Sequence, residues 1–150
     1  MRKRTIIVLL SMLVVVGNPH SALFAEETYK EETVENKTDF DWNPIIDAII
    51  QVESEGNTRA VNGNNVGAMQ ITPILVADCN RILEMGKSQK RFKLSDRYNV
   101  EKSKEMFLLI QSVYNPTNDI EKAIRTWNGG VNFKERSTQR YYEKVMQAMK

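Results

Sequence analysis

The sequence predicts a single, mainly α-helical domain with at most one short β-hairpin. Three observations carry that prediction. Between Asp41 and Lys150, five stretches repeat apolar residues at helical spacing, most of them bounded by capping or stop residues. No stretch alternates apolar and polar residues as a half-buried strand would. One Gly/Asn-rich connection, within residues 55–66, is the only hairpin candidate. A chain of 150 residues with 41% hydrophobic content suits one domain and no more.

The first helix is expected over Asp41–Ser54. Ile45, Ile46, Ile49, Ile50 and Val52 make its buried stripe, Pro44 suits its first turn, and Asp41 or Asn43 can cap it. It runs directly into Glu53-Ser54, so a carboxylic acid ends a core-facing helix. The Gly/Asn-rich connection follows, then a compact apolar return, Ala68-Met69-Gln70-Ile71. A loop lying close to that acid holds it partly out of water, which raises its pKa towards use as a general acid. Glu55 sits about 200° around the helix from Glu53 and is expected at the surface.

Thr72 caps and Pro73 starts the second helix, Thr72–Met85, with Leu75, Val76, Cys79, Ile82 and Leu83 inward. Cys79 lies in that stripe and reads as a small buried apolar residue. Gly86–Leu94 is a basic loop with Lys87, Lys90, Arg91 and Lys93, suited to a solvated surface or to anionic groups of a partner. The third helix, Asn99–Tyr114, carries Val100, Met106, Phe107, Leu109, Ile110 and Val113 on more than one face, as a central helix should. The fourth, Asn118–Trp127, opens with a capping-box-like Asn118-x-x-Glu121 and stops at Asn128-Gly129-Gly130. The last, Ser137–Lys150, aligns Tyr141, Val145 and Met149.

Ahead of the domain, residues 1–25 read as a signal peptide. Arg2-Lys3-Arg4 precedes an apolar run, Ile6–Val16, too short to span a bilayer, and Ser21–Ala25 offers small residues for cleavage. An uncleaved N-terminal anchor is the alternative, because Leu23 is not ideal near such a cut. Residues 26–40 are acidic and lack apolar periodicity, and read as a flexible tether. The net charge of +2 therefore hides segments of +3 (1–25), −4 (26–40) and +3 (41–150). A mildly basic domain suits an anionic polymer but is no nucleic-acid footprint. One cysteine excludes an internal disulfide framework, and one histidine, His20, leaves no Cys/His metal cluster. No Gly-rich phosphate loop is present. No metal or cofactor is expected.

Glu53-Ser54, Asn57, Ala60, Gly67-Ala68-Met69-Gln70 and Pro73, then Ala123 with Trp127-Asn128-Gly129, then Thr138, Tyr141, Lys144 and Val145, fall in an order and spacing that resembles the lysozyme-like lytic transglycosylases with an SLT domain. The resemblance spans about residues 42–150. Two departures are Trp127 where the family usually has Tyr and Ser103 where it often has Gly. The resemblance implies an exported, monomeric, lysozyme-like catalytic domain, 41–150, acting in the periplasm or cell envelope on peptidoglycan glycan strands, with no membrane span in the mature chain.

It also implies roles. Glu53 is the catalytic acid. Ser54, Met69, Gln70, Trp127 and Asn128 bind substrate, and Tyr141 supports the acid. The residues alone leave other readings open: Ser54 as a helix-end hydroxyl, Trp127 as a core ring, Tyr141 as a core tyrosine. The implied reaction cleaves the bond from N-acetylmuramic acid (MurNAc) to N-acetylglucosamine (GlcNAc) without water and leaves 1,6-anhydro-MurNAc ends. A muramidase on the same fold and a non-catalytic peptidoglycan-binding module are the rivals. Wall remodelling, service to a cell-envelope secretion or conjugation machine, and phage-type lysis all remain open as roles.

Overall fold

The computed structural model describes residues 40–150. The signal peptide and nearly all of the tether expected from the sequence lie outside the described residues. Five α-helices follow in order: α1 (Asn43–Ser54), α2 (Pro73–Met85), α3 (Val100–Tyr114), α4 (Ile120–Gly129) and α5 (Glu135–Ala148). A two-residue hairpin, β1 (Val61–Asn62) with β2 (Asn65–Val66), lies between α1 and α2, pairing Val61 with Val66 and Asn62 with Asn65. A mainly helical domain with one short hairpin is thus what the chain adopts.

The core forms where the apolar stripes meet. Ile45, Ile46 and Ile49 of α1, Val76 and Cys79 of α2, Met106 and Phe107 of α3, Ala123 and Ile124 of α4 and Val145 of α5 are all buried in one cluster. Phe107 is the hub. Its ring centroid lies 5.5 Å from that of Trp42 and 5.3 Å from that of Trp127, in the edge-on and tilted geometries that aromatic quadrupoles favour. Val113, expected inward, is half-exposed in the last turn of α3, and Gln111 takes a buried position there instead.

Local chemistry sets the helix starts. The Thr72 hydroxyl accepts from Leu75 N at 3.1 Å and the Asn99 side chain from Lys102 N at 3.0 Å, satisfying first-turn donors of α2 and α3. The cap of α4 is a correction to the sequence reading. Asp119, not Asn118, accepts from Lys122 N, at 2.9 Å, while Asn118 sits in the left-handed region as a turn residue (φ 55°). Asn115 explains the shift: buried, it binds both Asp119 N (3.1 Å) and Asp119 O (2.8 Å), so the turn closes one residue later.

The basic loop is anchored in a way its composition hides. The Asn80 side chain brackets Phe92, donating to its carbonyl (2.9 Å) and accepting from its N–H (2.8 Å), and the Phe92 ring is buried. Lys90 pairs with Glu105. A 3-10 helix, Leu94–Tyr98, then leads into α3. Phe40, counted with the tether from the sequence, packs its ring on Trp42 at 4.6 Å.

Candidate active site

Glu53 sits one residue from the end of α1. The helix stops because Glu55 turns left-handed (φ 53°) and sends its N–H back to Gln51 O at 3.1 Å. That break leaves Glu55 exposed and keeps Glu53 on the inward side. Tyr141, on α5, donates its hydroxyl to Glu53 Oε1 at 2.7 Å. Burial pushes the Glu53 carboxyl above the ordinary carboxylate range, and the Tyr141 hydrogen bond, which favours the anion, offsets only part of that rise. Burial, then the adjacent Glu53 charge and hydrogen bond, pushes the Tyr141 phenol well above its usual value, so it stays a protonated donor.

The return loop is pressed against this helix end. Asn57 closes the first turn, its side chain accepting from Arg59 N at 2.9 Å. Gly67 N donates to Ala60 O at 2.8 Å. Gly67 needs to be glycine twice over: its φ is 78°, and a Cβ there would lie 1.9 Å from the Arg97 carbonyl oxygen. The Arg97 guanidinium bonds Asn64 O (3.1 Å) and Ile71 O (3.2 Å), tying the 3-10 helix to both ends of the loop.

The sequence-nominated residues divide by position. Ser54 Oγ donates to Ala68 O at 2.8 Å, which staples α1 to the return loop. Gln70 is half-buried at φ 50°, and its Nε2 donates to Gly67 O at 2.9 Å, leaving its Oε1 without a partner among the described contacts. Met69 is wholly buried in the core. The expectation that it forms a wall for sugar is therefore corrected, because a side chain without exposed surface supports the loop from beneath. Trp127 and Asn128, at the end of α4, line a groove of about 440 Å³ whose other walls come from α2 and from Ile110 and Tyr114 of α3. Glu53 is not among the residues lining that groove.

Sequence reasoning missed the residue that joins the two halves. Arg125 is buried on α4, and its guanidinium bonds Glu121 Oε1 (2.7 Å), Glu135 O (3.0 Å), Thr138 Oγ1 (3.0 Å) and Gln139 Oε1 (2.7 Å). It also lies over the Tyr142 ring at 4.6 Å. This planar fork welds α4, which carries Trp127 and Asn128, to α5, which carries Tyr141. Gly129 permits the approach, since a Cβ there would sit 2.7 Å from Thr138 Cγ2. Three hydrogen bonds to α5 give Thr138 and Gly129 a physical reason, and an arginine on the apolar side of α4 was the available signal.

Cys79 is a core residue here. Its thiol is buried, and burial, reinforced by nearby Asp78, pushes its pKa up to about 12. Among the described residues, no group of three or more His, Cys, Asp or Glu side chains converges as a metal site. No described helix is long and apolar enough to cross a membrane.

A family model for the transglycosylase SLT domain matches residues 32–149. The chain belongs to the SLT family. No curated protein and no solved structure matched the chain. Membership makes peptidoglycan the substrate class of this SLT domain and places its action outside the cytoplasm.

Proposed function

We propose that this SLT domain is a peptidoglycan lytic transglycosylase that cuts the MurNAc–GlcNAc β-1,4 bond without water. The observation that carries the reading is Glu53 itself. It is a carboxyl raised in pKa by burial, fixed at a helix end, and bonded to one neutral phenol at 2.7 Å. A group so placed keeps its proton to higher pH than an ordinary carboxyl and can return to the anion within one cycle.

In the first step Glu53 gives its proton to the glycosidic oxygen, and the GlcNAc leaving group departs. The 2-acetamido oxygen of MurNAc stabilises the positive centre left at the anomeric carbon. Glu53, now the anion that Tyr141 holds, takes the proton of the MurNAc 6-hydroxyl, whose oxygen bonds to that carbon. The products are a GlcNAc end and a 1,6-anhydro-MurNAc end, and Glu53 is protonated again. Gln70 orients the reacting sugar through its unspent carbonyl, Trp127 carries a sugar face, and Asn128 binds an acetamido group. Ser54 acts through the loop it staples. The chain is exported through residues 1–25, tethered by residues 26–39 and active as a monomer.

A two-carboxylate hydrolysis needs a second free acid. Asp96 accepts from Lys93 N and Asp119 caps α4. Asp78 lies in the Trp127 groove, whose lining does not include Glu53. These placements favour the single-acid route over a muramidase. Glu53→Gln tests the assignment: it keeps the fold and abolishes cleavage of purified sacculi. A variant with near-wild-type turnover removes Glu53 from the mechanism. A wild type that binds sacculi without ever cutting them makes the domain a binding module.

A further inference from the structure

The groove holding Trp127 and Asn128 also holds a cation that the reaction above does not use. Arg81 projects from α2, more than half exposed (55%). Its Nη2 donates to the Tyr114 hydroxyl at 3.0 Å and reaches Asp78 Oδ1 at 3.5 Å, while Nη1 makes a long contact with Met85 Sδ at 3.8 Å. The Asp78 contact is long and half-exposed, the kind of pair that holds little charge back from a competitor. A guanidinium has five donors in a rigid fork; two have no partner among the described residues, and the Asp78 and Met85 contacts are long and weak, so capacity remains for an anion in the groove. The Tyr114 hydroxyl, a neutral partner, fixes the fork in place without cancelling it.

Around this cation the groove is apolar. Ile74 (75% exposed) and Val131 (48% exposed) flank it, and Trp127 supplies an aromatic face. Apolar surface with an aromatic ring suits pyranose faces, and one fixed cation suits one carboxylate. Of the two sugars in peptidoglycan, GlcNAc is neutral. MurNAc carries a 3-O-lactyl carboxylate, or a peptide in its place that ends in carboxylates.

We propose that Arg81 reads the carboxylate of the muramoyl unit, so that this groove selects MurNAc-containing strands over neutral amino-sugar polymers. The choice of polymer rests on the function proposed above; the anion preference does not. Asp78 competes for the same guanidinium and tunes the site downward.

The test is direct binding by the full chain to three probes that lack the bond proposed to be cut. They are the GlcNAc–MurNAc disaccharide with its peptide, the same disaccharide after amidase removal of the peptide, and a GlcNAc tetramer. At low salt the wild type is expected to bind at least one muramoyl probe about tenfold more tightly than the tetramer, as one charge-assisted pair allows. The tighter of the two identifies the source: peptide carboxylate or lactyl carboxylate. Arg81→Gln brings the ratio to within about twofold, Arg81→Lys keeps part of it, and Asp78→Asn raises it. Salt at about 200 mM weakens it. Three results overturn the proposal: no muramoyl preference in the wild type, a preference that survives Arg81→Gln, or an equal weakening of all three probes. Since no probe is cut, failure to find anhydro products would sink the reaction and leave this result standing.

Discussion

Tyr141→Phe removes one oxygen and isolates the role of the hydrogen bond that joins the carboxylate of the catalytic candidate to α5. The bond is 2.7 Å long and its donor remains protonated, so it favours the Glu53 anion over the acid. Hydrogen bonds to charged groups contribute about 1.5–3 kcal/mol. Glu53 is half-buried by exposed area and keeps some access to water, so the low end applies. At about 1.4 kcal/mol per pKa unit, Glu53 in the variant titrates about one unit higher than in the wild type. If protonated Glu53 is the acid, kcat/KM falls as pH rises through its pKa, and that basic limb moves up by about one unit in Tyr141→Phe. The maximal rate falls too, because the second step needs the anion held in place. Stability follows with a fixed sign. A carboxyl whose folded pKa lies above its unfolded value destabilises the fold as pH rises through the window between them. Tyr141→Phe widens that window upward, so its excess destabilisation grows as pH rises through the two folded Glu53 pKa values and is absent below the wild-type one. A pH–rate profile beside urea melts at several pH values checks both. A basic limb that stays or moves down, or a destabilisation equal at all pH values, would refute the reasoning.

Glu53→Gln, besides losing cleavage, should gain stability at neutral pH, since the raised Glu53 pKa is a cost there that an amide does not carry; thermal melts should show the gain shrinking as pH falls towards the ordinary Glu value of about 4.3 and gone below it, and no gain at pH 7 would contradict the burial argument. Gly67→Ala should lose about 2–4 kcal/mol in chemical denaturation, from left-handed strain together with the clash on the Arg97 carbonyl; a loss under about 1 kcal/mol would mean that the 3-10 helix yields freely. Removing residues 26–39 while keeping Phe40 should leave activity on soluble muropeptides intact, because the segment is acidic and without apolar periodicity; a truncated chain that unfolds or loses most activity would end the tether reading.

The helices were legible because each carries its own signals: the isoleucine stripe of α1, Thr72-Pro73 before α2, Asn99 before α3. Glu53 was legible because a carboxylate on a core-facing helix end is unusual in itself. What escaped were features decided by distant partners. Asp119 rather than Asn118 caps α4 because Asn115 is buried and holds both Asp119 backbone groups. Phe92, in a loop, is core because Asn80, on α2, brackets it. Met69 matched a motif associated with substrate, yet its environment buries it, and a motif carries no information on which side of a loop wall the side chain lies. Arg125 was hardest of all. Local periodicity treats an arginine as surface, whereas four acceptors contributed by its own helix and by residues 135–139 make it the link between the groove and the acid.

The central claim is that the MurNAc 6-hydroxyl, not water, attacks the anomeric carbon. The hydroxyl belongs to the reacting sugar, so its effective concentration far exceeds that of a loosely held water. Digestion of purified sacculi in water enriched in heavy oxygen, followed by mass spectrometry of the released ends, tests this most directly. The account predicts 1,6-anhydro-MurNAc ends, lighter than hydrolysed ends by one water and free of heavy oxygen. Reducing MurNAc ends that carry heavy oxygen as the main product would contradict it and make the enzyme a muramidase.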